Sequence, residues 1–145
     1  MKLKRSGWIV LLLVAVVWLA QGEWPGTRPL ADGAPTRGAI EQAFAERRGD
    51  LQVRDSGVVT RVLPPDNDGR PHQRFILELD SGHTVLVAHN LTLSRPVHGL
   101  KRGDRVEFYG EYEWNERGGV VHWTHHDPNG RHLDGWLQHK GIKYQ

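Results

Sequence analysis

Apolar and polar side chains alternate at every second position along much of this chain, and this period constrains its fold most. The alternation is clear in residues 58–63, 75–79, 85–89, 106–114 and 120–125. Successive side chains of a strand point to opposite faces, so each segment predicts a strand with one buried face. The sequence therefore predicts a mainly β domain with five strands.

The segments between these strands contain the residues that turns and loops prefer. Residues 64–69 and 115–119 are rich in Pro, Asn, Asp or Gly, Ser81 and Gly82 form a tight turn, and residues 90–103 form a longer connection. Residues 100–110 have a pattern that is common where the fourth strand of an OB-fold begins. Five strands of this size predict a small, partly open OB-fold-like barrel. A five-stranded sandwich and an SH3-like barrel are the alternatives.

One short N-terminal helix is predicted before the barrel. Ile40, Ala43 and Phe44 follow helical spacing within residues 36–48, with Thr36 as the expected N-cap. The predicted divisions of the chain after its N-terminal segment are a flexible tether at 23–35, the short helix at 36–50, and the OB-like β-barrel domain with its histidine-rich C-terminal segment at 51–145.

The N-terminal segment has the layout of a secretory signal. Three basic residues within the first five precede an unbroken apolar run over residues 8–20. As a helix this run rises about 20 Å, which is short of the ~30 Å hydrocarbon core. Residues 1–22 are therefore predicted to be a signal peptide or an uncleaved membrane anchor. The rest of the chain is expected to be periplasmic or secreted, or anchored to the inner membrane facing out.

The net charge of +2 comes from this N-terminal segment. Residues 1–22 carry three of the 19 Lys and Arg residues and none of the 17 Asp and Glu residues, which leaves 16 basic and 17 acidic residues and a net charge of −1. Strong genome-wide nucleic-acid binding is therefore not expected. Membrane contact is expected only through the N-terminal segment, if that segment is not cleaved. The chain has no cysteine, which excludes disulfides and cysteine-ligated zinc.

Histidine is concentrated near the C-terminus, where four of the nine histidines lie within residues 122–132. Imidazole nitrogen and carboxylate oxygen are ligands for divalent transition metals, so a divalent metal is the candidate cofactor. If the last strand continues through residue 126, His122 and His126 share one face, and a turn at 128–130 brings His132 back towards them. The candidate metal ligands are His122, His125, His126, Asp127 and His132. The alternative is that these side chains cap turns and pack against Trp123.

A second polar group is expected where the second and third strands meet at one rim. An antiparallel pair turned at residues 81–82 places the start of one strand near the end of the other. His72 and His89 are then candidates for acid–base catalysis, and Arg74 and Asn90 are candidates for binding an anion. The alternative is a polar barrel end in which Arg74 forms an ordinary surface ion pair.

Aromatic residues near the C-terminus complete the candidate ligand-binding set. Trp123 and Trp136, with Arg131, are placed there because exposed aromatic rings on a barrel stack on bases or sugars. Tyr109 shares its predicted face with three acidic residues, which would repel a phosphate backbone. Nucleic-acid binding is therefore expected at the barrel ends rather than on that face.

Several long motifs carry a family resemblance. These motifs are residues 72–76, 88–90, 110–115, 118–128, 130–132 and 135–136. From about Gly57 to the C-terminus the chain resembles a family of small exported bacterial proteins, catalogued as domain of unknown function 3465. The resemblance implies a bacterial origin and a compact exported domain, and it supplies no activity.

Two functions fit these features. The first is a non-catalytic binding module for an anionic or polymeric ligand, such as an oligonucleotide, an oligosaccharide or a protein, with a His-rich metal-binding site. The alternative is a metal-dependent hydrolase or nuclease acting on a phosphodiester, in which the metal activates water. A third, structural interpretation is that the histidine segment only closes the barrel.

Overall fold

One short helix and seven strands form the domain in the computed structural model, which describes residues 36–66 and 69–145. The helix α1 spans Ala39–Ala45, and the strands are β1 (Leu51–Asp66), β2 (His72–Leu79), β3 (Thr84–Asn90), β4 (Arg105–Glu113), β5 (Val120–His122), β6 (Trp136–His139) and β7 (Ile142–Tyr144). The predicted export segment and tether lie outside the described residues. Within residues 36–66 and 69–145, no helix is long and apolar enough to cross a membrane.

The structure confirms the mainly β fold that the alternating pattern predicts, in which each strand has one buried face. The buried positions of β2, β3 and β4 fall two residues apart, as the burial of Phe75, Leu77, Val85 and Val87 shows. Ile40 of α1 joins the same core cluster. Burial of each such side chain contributes about 1.5–3 kcal/mol. The sequence period alone predicts the positions of most of these core residues on their strands.

Strand β1 is long enough to pair with two neighbours along different parts of its length. Its first half, from Leu51 to Val58, is antiparallel to β4, and its second half, from Gly57 to Asp66, is antiparallel to β2. Strands β2 and β3 are antiparallel, β3 and β5 are parallel, and β5 and β4 are antiparallel. The pairings therefore run β1–β2–β3–β5–β4 and return to β1.

The predicted ends of the first strand and of the helix differ from those in the structure. Strand β1 begins seven residues before the predicted residue 58, at Leu51, and continues through Pro64 and Pro65 to Asp66. The helix is shorter than 36–48, because Gly38 is its N-cap. Thr36 is not the cap: its backbone and hydroxyl group both bond the backbone of Arg54 on β1. Tertiary pairing has replaced a local capping bond at this point.

The C-terminal segment contains a hairpin that the sequence reasoning missed. Strands β6 and β7 pair with each other through a turn at Lys140 and Gly141, both with positive φ. Strand β6 also pairs with residues 106–109 of β4. Strand β5 is shorter than predicted and ends at His122, because Trp123 adopts a left-handed backbone with φ of 51°. The domain thus has seven strands rather than five.

Candidate functional site

A gap in the sheet positions the candidate site. Strands β5 and β6 pair with the same edge of β4, β5 at Glu111–Glu113 and β6 at Val106–Tyr109. The connection between them is the histidine loop, residues 123–135. The loop leaves the sheet where β5 ends and returns where β6 begins, so both of its ends lie beside the outer face of β4.

The two ends of the histidine loop are held close together. The Gly135 N–H donates to the carbonyl oxygen of His125 at 2.9 Å. A Cβ atom at Gly135 would overlap the carbonyl oxygens of Trp123 and Tyr109, so only glycine fits. The loop is therefore fixed at its base by backbone contact.

Asp127 fixes the tip of the histidine loop. Its carboxylate accepts the backbone N–H groups of Asn129, Arg131 and His132 at 2.9, 2.6 and 2.9 Å. These N–H groups, that of Asn129 first, lower the pKa of the Asp127 carboxyl below its usual range. The Asp127 N–H in turn donates to Asp134 Oδ1 at 2.8 Å. The loop therefore presents its side chains from a braced backbone.

The Glu111 carboxylate lies between two imidazoles. Glu111 Oε1 is 3.3 Å from His122 Nε2, and Glu111 Oε2 is 3.4 Å from His132 Nδ1. His122 is opposite Glu111 in the β4–β5 register, whereas His132 arrives from the histidine loop. The His132 ring stacks on Trp123 with centroids 3.7 Å apart and an interplanar angle of 16°. Trp123 thereby sets the orientation of the ring that faces Glu111.

Glu113 extends this group along the same face of β4. One ligand atom from each of Glu111, Glu113 and His122 lies within 4.8 Å of the other two, the arrangement needed to hold one metal ion. Glu113 Oε1 also accepts the backbone N–H of Asp50 at 3.2 Å, which fixes its carboxylate. We call Glu111, Glu113, His122 and His132 the histidine–carboxylate cluster. All four side chains are partly accessible, although the His122 Nε2 atom itself is buried.

The other three candidate metal ligands lie apart from this group. His126 Nδ1 bonds Asp134 Oδ2 at 2.8 Å, and both side chains are exposed. His125 is buried and its Nδ1 bonds the His126 carbonyl oxygen at 2.8 Å. Asp127 is occupied by backbone N–H groups. The expected shared face of His122 and His126 does not form, because the left-handed Trp123 ends the strand between them.

The two carboxylates of the cluster are what sequence reasoning missed. Glu111 and Glu113 are two of the three acidic residues on the predicted face of Tyr109, where the sequence indicates only repulsion of phosphate. The signal was available in the hairpin turn at residues 115–119, which pairs the end of β4 with β5 and so sets Glu111 opposite His122. The position of His132 had no such signal, since it depends on the path of the whole loop.

The second polar group forms only in part. His72 and Asn90 are register partners at the rim, as predicted. His89 is fully buried: Nδ1 bonds Thr124 Oγ1 at 2.8 Å and Nε2 bonds the Arg95 carbonyl oxygen at 3.2 Å. Burial lowers the pKa of His89 to about 4. Arg74 donates to the Pro64 carbonyl oxygen and so turns towards β1.

The candidate ligand-binding residues differ in accessibility. Trp136 is only 4% exposed, with Lys143 Nζ 4.5 Å and the Arg54 guanidinium 5.1 Å from its ring centroid. Its faces are thus occupied by cations of the protein itself. Arg131 is exposed on the histidine loop, and Trp123 is half-buried beneath His132.

A separate cleft surrounds Asp55. Its volume is about 320 Å³, and Arg37, Glu41 and Asp80 contribute to its lining. Burial, and then the charges of Glu41 and Asp80, raise the pKa of the Asp55 carboxyl. The carboxylate oxygen Asp55 Oδ1 accepts the Ser56 N–H at 2.8 Å. This acid is perturbed, but no imidazole among the described residues lines the cleft with it.

Together these features define a small, mainly β domain with a histidine–carboxylate cluster on the outer face of its sheet. The chain belongs to the family described as "Protein of unknown function (DUF3465)", whose model matches residues 31–145. This match confirms the family resemblance. It also includes α1, which lies before Gly57, the start of the resemblance in the sequence analysis. The chain has no match among curated proteins or solved structures.

Proposed function

We propose that this protein is an exported binding module that holds a divalent transition-metal ion at its histidine–carboxylate cluster. The observation that carries the proposal is the Glu111 carboxylate, which has His122 Nε2 at 3.3 Å and His132 Nδ1 at 3.4 Å. Glu113 supplies a second carboxylate within ligand distance of the same place. One imidazole and two carboxylates, those of His122, Glu111 and Glu113, lie within reach of one ion without cysteine, and His132 approaches Glu111 from the histidine loop.

The ligand types favour one class of metal. Mixed nitrogen and oxygen donors suit Zn²⁺, Ni²⁺ or Co²⁺, whereas Mg²⁺ and Ca²⁺ prefer oxygen alone. Imidazole must be neutral to bind, so metal affinity falls as the solution is made acidic.

The barrel and the location are parts of the same proposal. The ring of pairings β1–β2–β3–β5–β4–β1, with β3 and β5 parallel, supports the small OB-fold-like barrel that the sequence predicts. The basic and apolar N-terminal segment supports export. A reporter enzyme that works only outside the cytoplasm, fused after residue 145, is expected to be active with residues 1–22 and inactive without them.

Replacing Glu111 tests the metal site. Glu111→Gln keeps the shape but removes the charge that bridges the imidazoles, and we expect Zn²⁺ affinity, measured by isothermal titration calorimetry, to fall at least about tenfold. Glu78→Gln is the matched control, because Glu78 is an exposed carboxylate on the outer face of β2. Its affinity is expected to equal that of the wild type.

Two outcomes would count against the site. Equal loss in both variants would mean that Zn²⁺ binds through general surface charge. Unchanged affinity in Glu111→Gln would move the metal to another part of the chain, such as His126 and Asp134. The polymeric ligand and the phosphodiester hydrolase activity inferred from the sequence stay predictions. An assay for chelator-sensitive cleavage of RNA would test the hydrolase activity.

A further inference from the structure

Two buried polar atoms without partners flank the proposed metal site. In the described part of the chain, the buried side-chain nitrogen or oxygen atoms without a hydrogen-bond partner are Glu41 Oε2, Gln52 Nε2 and His122 Nε2. His122 Nε2 lies near Glu111 but outside hydrogen-bond geometry. A buried polar atom without a partner is unfavourable, and a ligand that bonds to it removes that cost.

Gln52 and His122 belong to one row across three strands. Gln52 of β1 is the register partner of Glu111 of β4, and Glu111 is the register partner of His122 of β5. Side chains of directly opposed residues lie on the same face, with Cβ atoms about 4.5–5.5 Å apart. Gln52 therefore lies beside Glu111 on the β1 side of β4, opposite the side from which His122 approaches.

We propose that Gln52 donates a hydrogen bond to an oxygen atom bound to the metal, so that the loaded site accepts a small oxyanion. This inference rests on the proposed metal site. The Gln52 Nε2 group is a donor, and a metal cation cannot be its partner. An oxygen ligand on the metal satisfies both the metal and the Gln52 amide, because it donates a lone pair to the metal and accepts the hydrogen bond from the amide N–H.

The charges around the cluster limit the size of the anion. A divalent metal is neutralised by the carboxylates of Glu111 and Glu113, so little positive charge extends beyond the metal. Glu107 lies further along the same face of β4 and forms an ion pair with Arg54 at 2.7 Å. A polyanion would meet these acidic side chains, whereas a single phosphate or carboxylate group needs only the metal and Gln52.

Cobalt provides a spectroscopic test on the full chain. Co²⁺-loaded wild-type protein is titrated with inorganic phosphate and, separately, with acetate, while its visible absorption reports changes in coordination. We expect Gln52→Leu to bind both anions about tenfold more weakly, and Gln52→Glu more weakly still, because its carboxylate repels them. Gln138→Leu is the control, since Gln138 is a partly buried glutamine opposite Glu107 on β6. Co²⁺ affinity is expected to stay within about threefold in the two leucine variants.

Each result decides one part of the inference. Equal anion affinity in wild type and Gln52→Leu overturns the role of Gln52. Co²⁺ loading without a spectral response to either anion overturns oxyanion binding and leaves the metal site standing. Failure of the wild type to load Co²⁺, with no change in absorption, overturns the metal site itself and this inference with it.

Discussion

His89 shows at the scale of one residue how burial changes the role of a reactive side chain. Its two ring nitrogens are bonded to Thr124 and to the Arg95 carbonyl group inside the fold. With no exposed nitrogen, the ring is suited to joining β3 to the start of the histidine loop. We expect protonation of this buried ring to make the stability of the protein depend on pH.

The lowered pKa of His89 predicts acid destabilisation. Folding holds the pKa at about 4, below the ordinary value of 6.5, so the unfolded chain binds the extra proton between these values. The stability from neutral His89 is present above pH 6.5 and is lost as the pH falls towards 4, by about 3 kcal/mol. Urea unfolding from pH 4 to pH 8 measures this loss.

A non-titrating variant isolates the contribution of His89. His89→Gln retains amide groups that can bond Thr124 and Arg95, but it cannot titrate. We expect it to be less stable at pH 8 and to show a smaller decrease between pH 6.5 and pH 4. A decrease as large as that of the wild type would assign the acid sensitivity to other groups, such as the exposed pair of His126 and Asp134.

At the scale of elements, the histidine loop depends on the close contact between its two ends. Gly135 lies against Trp123 and Tyr109 of β4 without room for a side chain. That contact places Trp123, and through its stacked ring His132, over the outer face of β4. The geometry of the cluster is therefore set partly by a residue that carries no functional group.

Adding one methyl group at Gly135 is expected to disrupt the cluster. Gly135→Ala forces a Cβ atom into two backbone carbonyl oxygens, and we expect a loss of about 3 kcal/mol in stability together with most of the Zn²⁺ affinity. Chemical denaturation and calorimetry measure the two effects.

Gly130 provides the control within the same loop. It has φ of 62° but open space around its Cβ position, so Gly130→Ala is expected to cost about 1 kcal/mol of backbone strain and to retain Zn²⁺ binding. Retained Zn²⁺ binding in Gly135→Ala would show that the loop is not needed to place His132.

At the scale of the whole molecule, the C-terminal hairpin is part of the core. Leu137 of β6 is 0% exposed and Tyr144 of β7 is 2% exposed, and both belong to the same hydrophobic cluster as the buried residues of β1 to β5. Strand β6 also covers the β4 edge that β5 leaves open. The C-terminal hairpin therefore contributes to the core at one end of the described chain, as α1 does at the other end.

Truncation tests this dependence. Ending the chain at residue 135 removes four buried side chains, those of Trp136, Leu137, His139 and Tyr144. Burial of Leu137 and Tyr144 alone is worth about 2 kcal/mol each, a large part of the 5–15 kcal/mol that stabilises a typical domain. We expect the truncated protein to unfold at much lower urea concentration, as followed by circular dichroism. Removing only the exposed Gln145 is the control and should leave the midpoint unchanged. Equal urea midpoints for the full-length protein and both truncated proteins would show that the hairpin does not stabilise the domain.

Local pattern and tertiary path contributed differently to what the sequence could predict. The buried faces of β2, β3 and β4 followed from a period of two, because that period depends only on neighbouring residues. The end of β5 at His122 did not follow, since Val120 to His125 alternate well and only the left-handed Trp123 breaks the strand. Strands β6 and β7 were missed because the surrounding Gly, His and Asp residues obscured four- and three-residue strands.

The sequence by itself determined the mainly β fold, the membership of the family and the buried faces of β2, β3 and β4. It also supplied the histidines from which the cluster draws. Only the tertiary structure decided that Glu111 would stand between His122 and His132 while His89 became buried. The physical reason is that strand register and the path of a loop depend on distant contacts, such as that of Gly135 with Trp123, which no local period encodes.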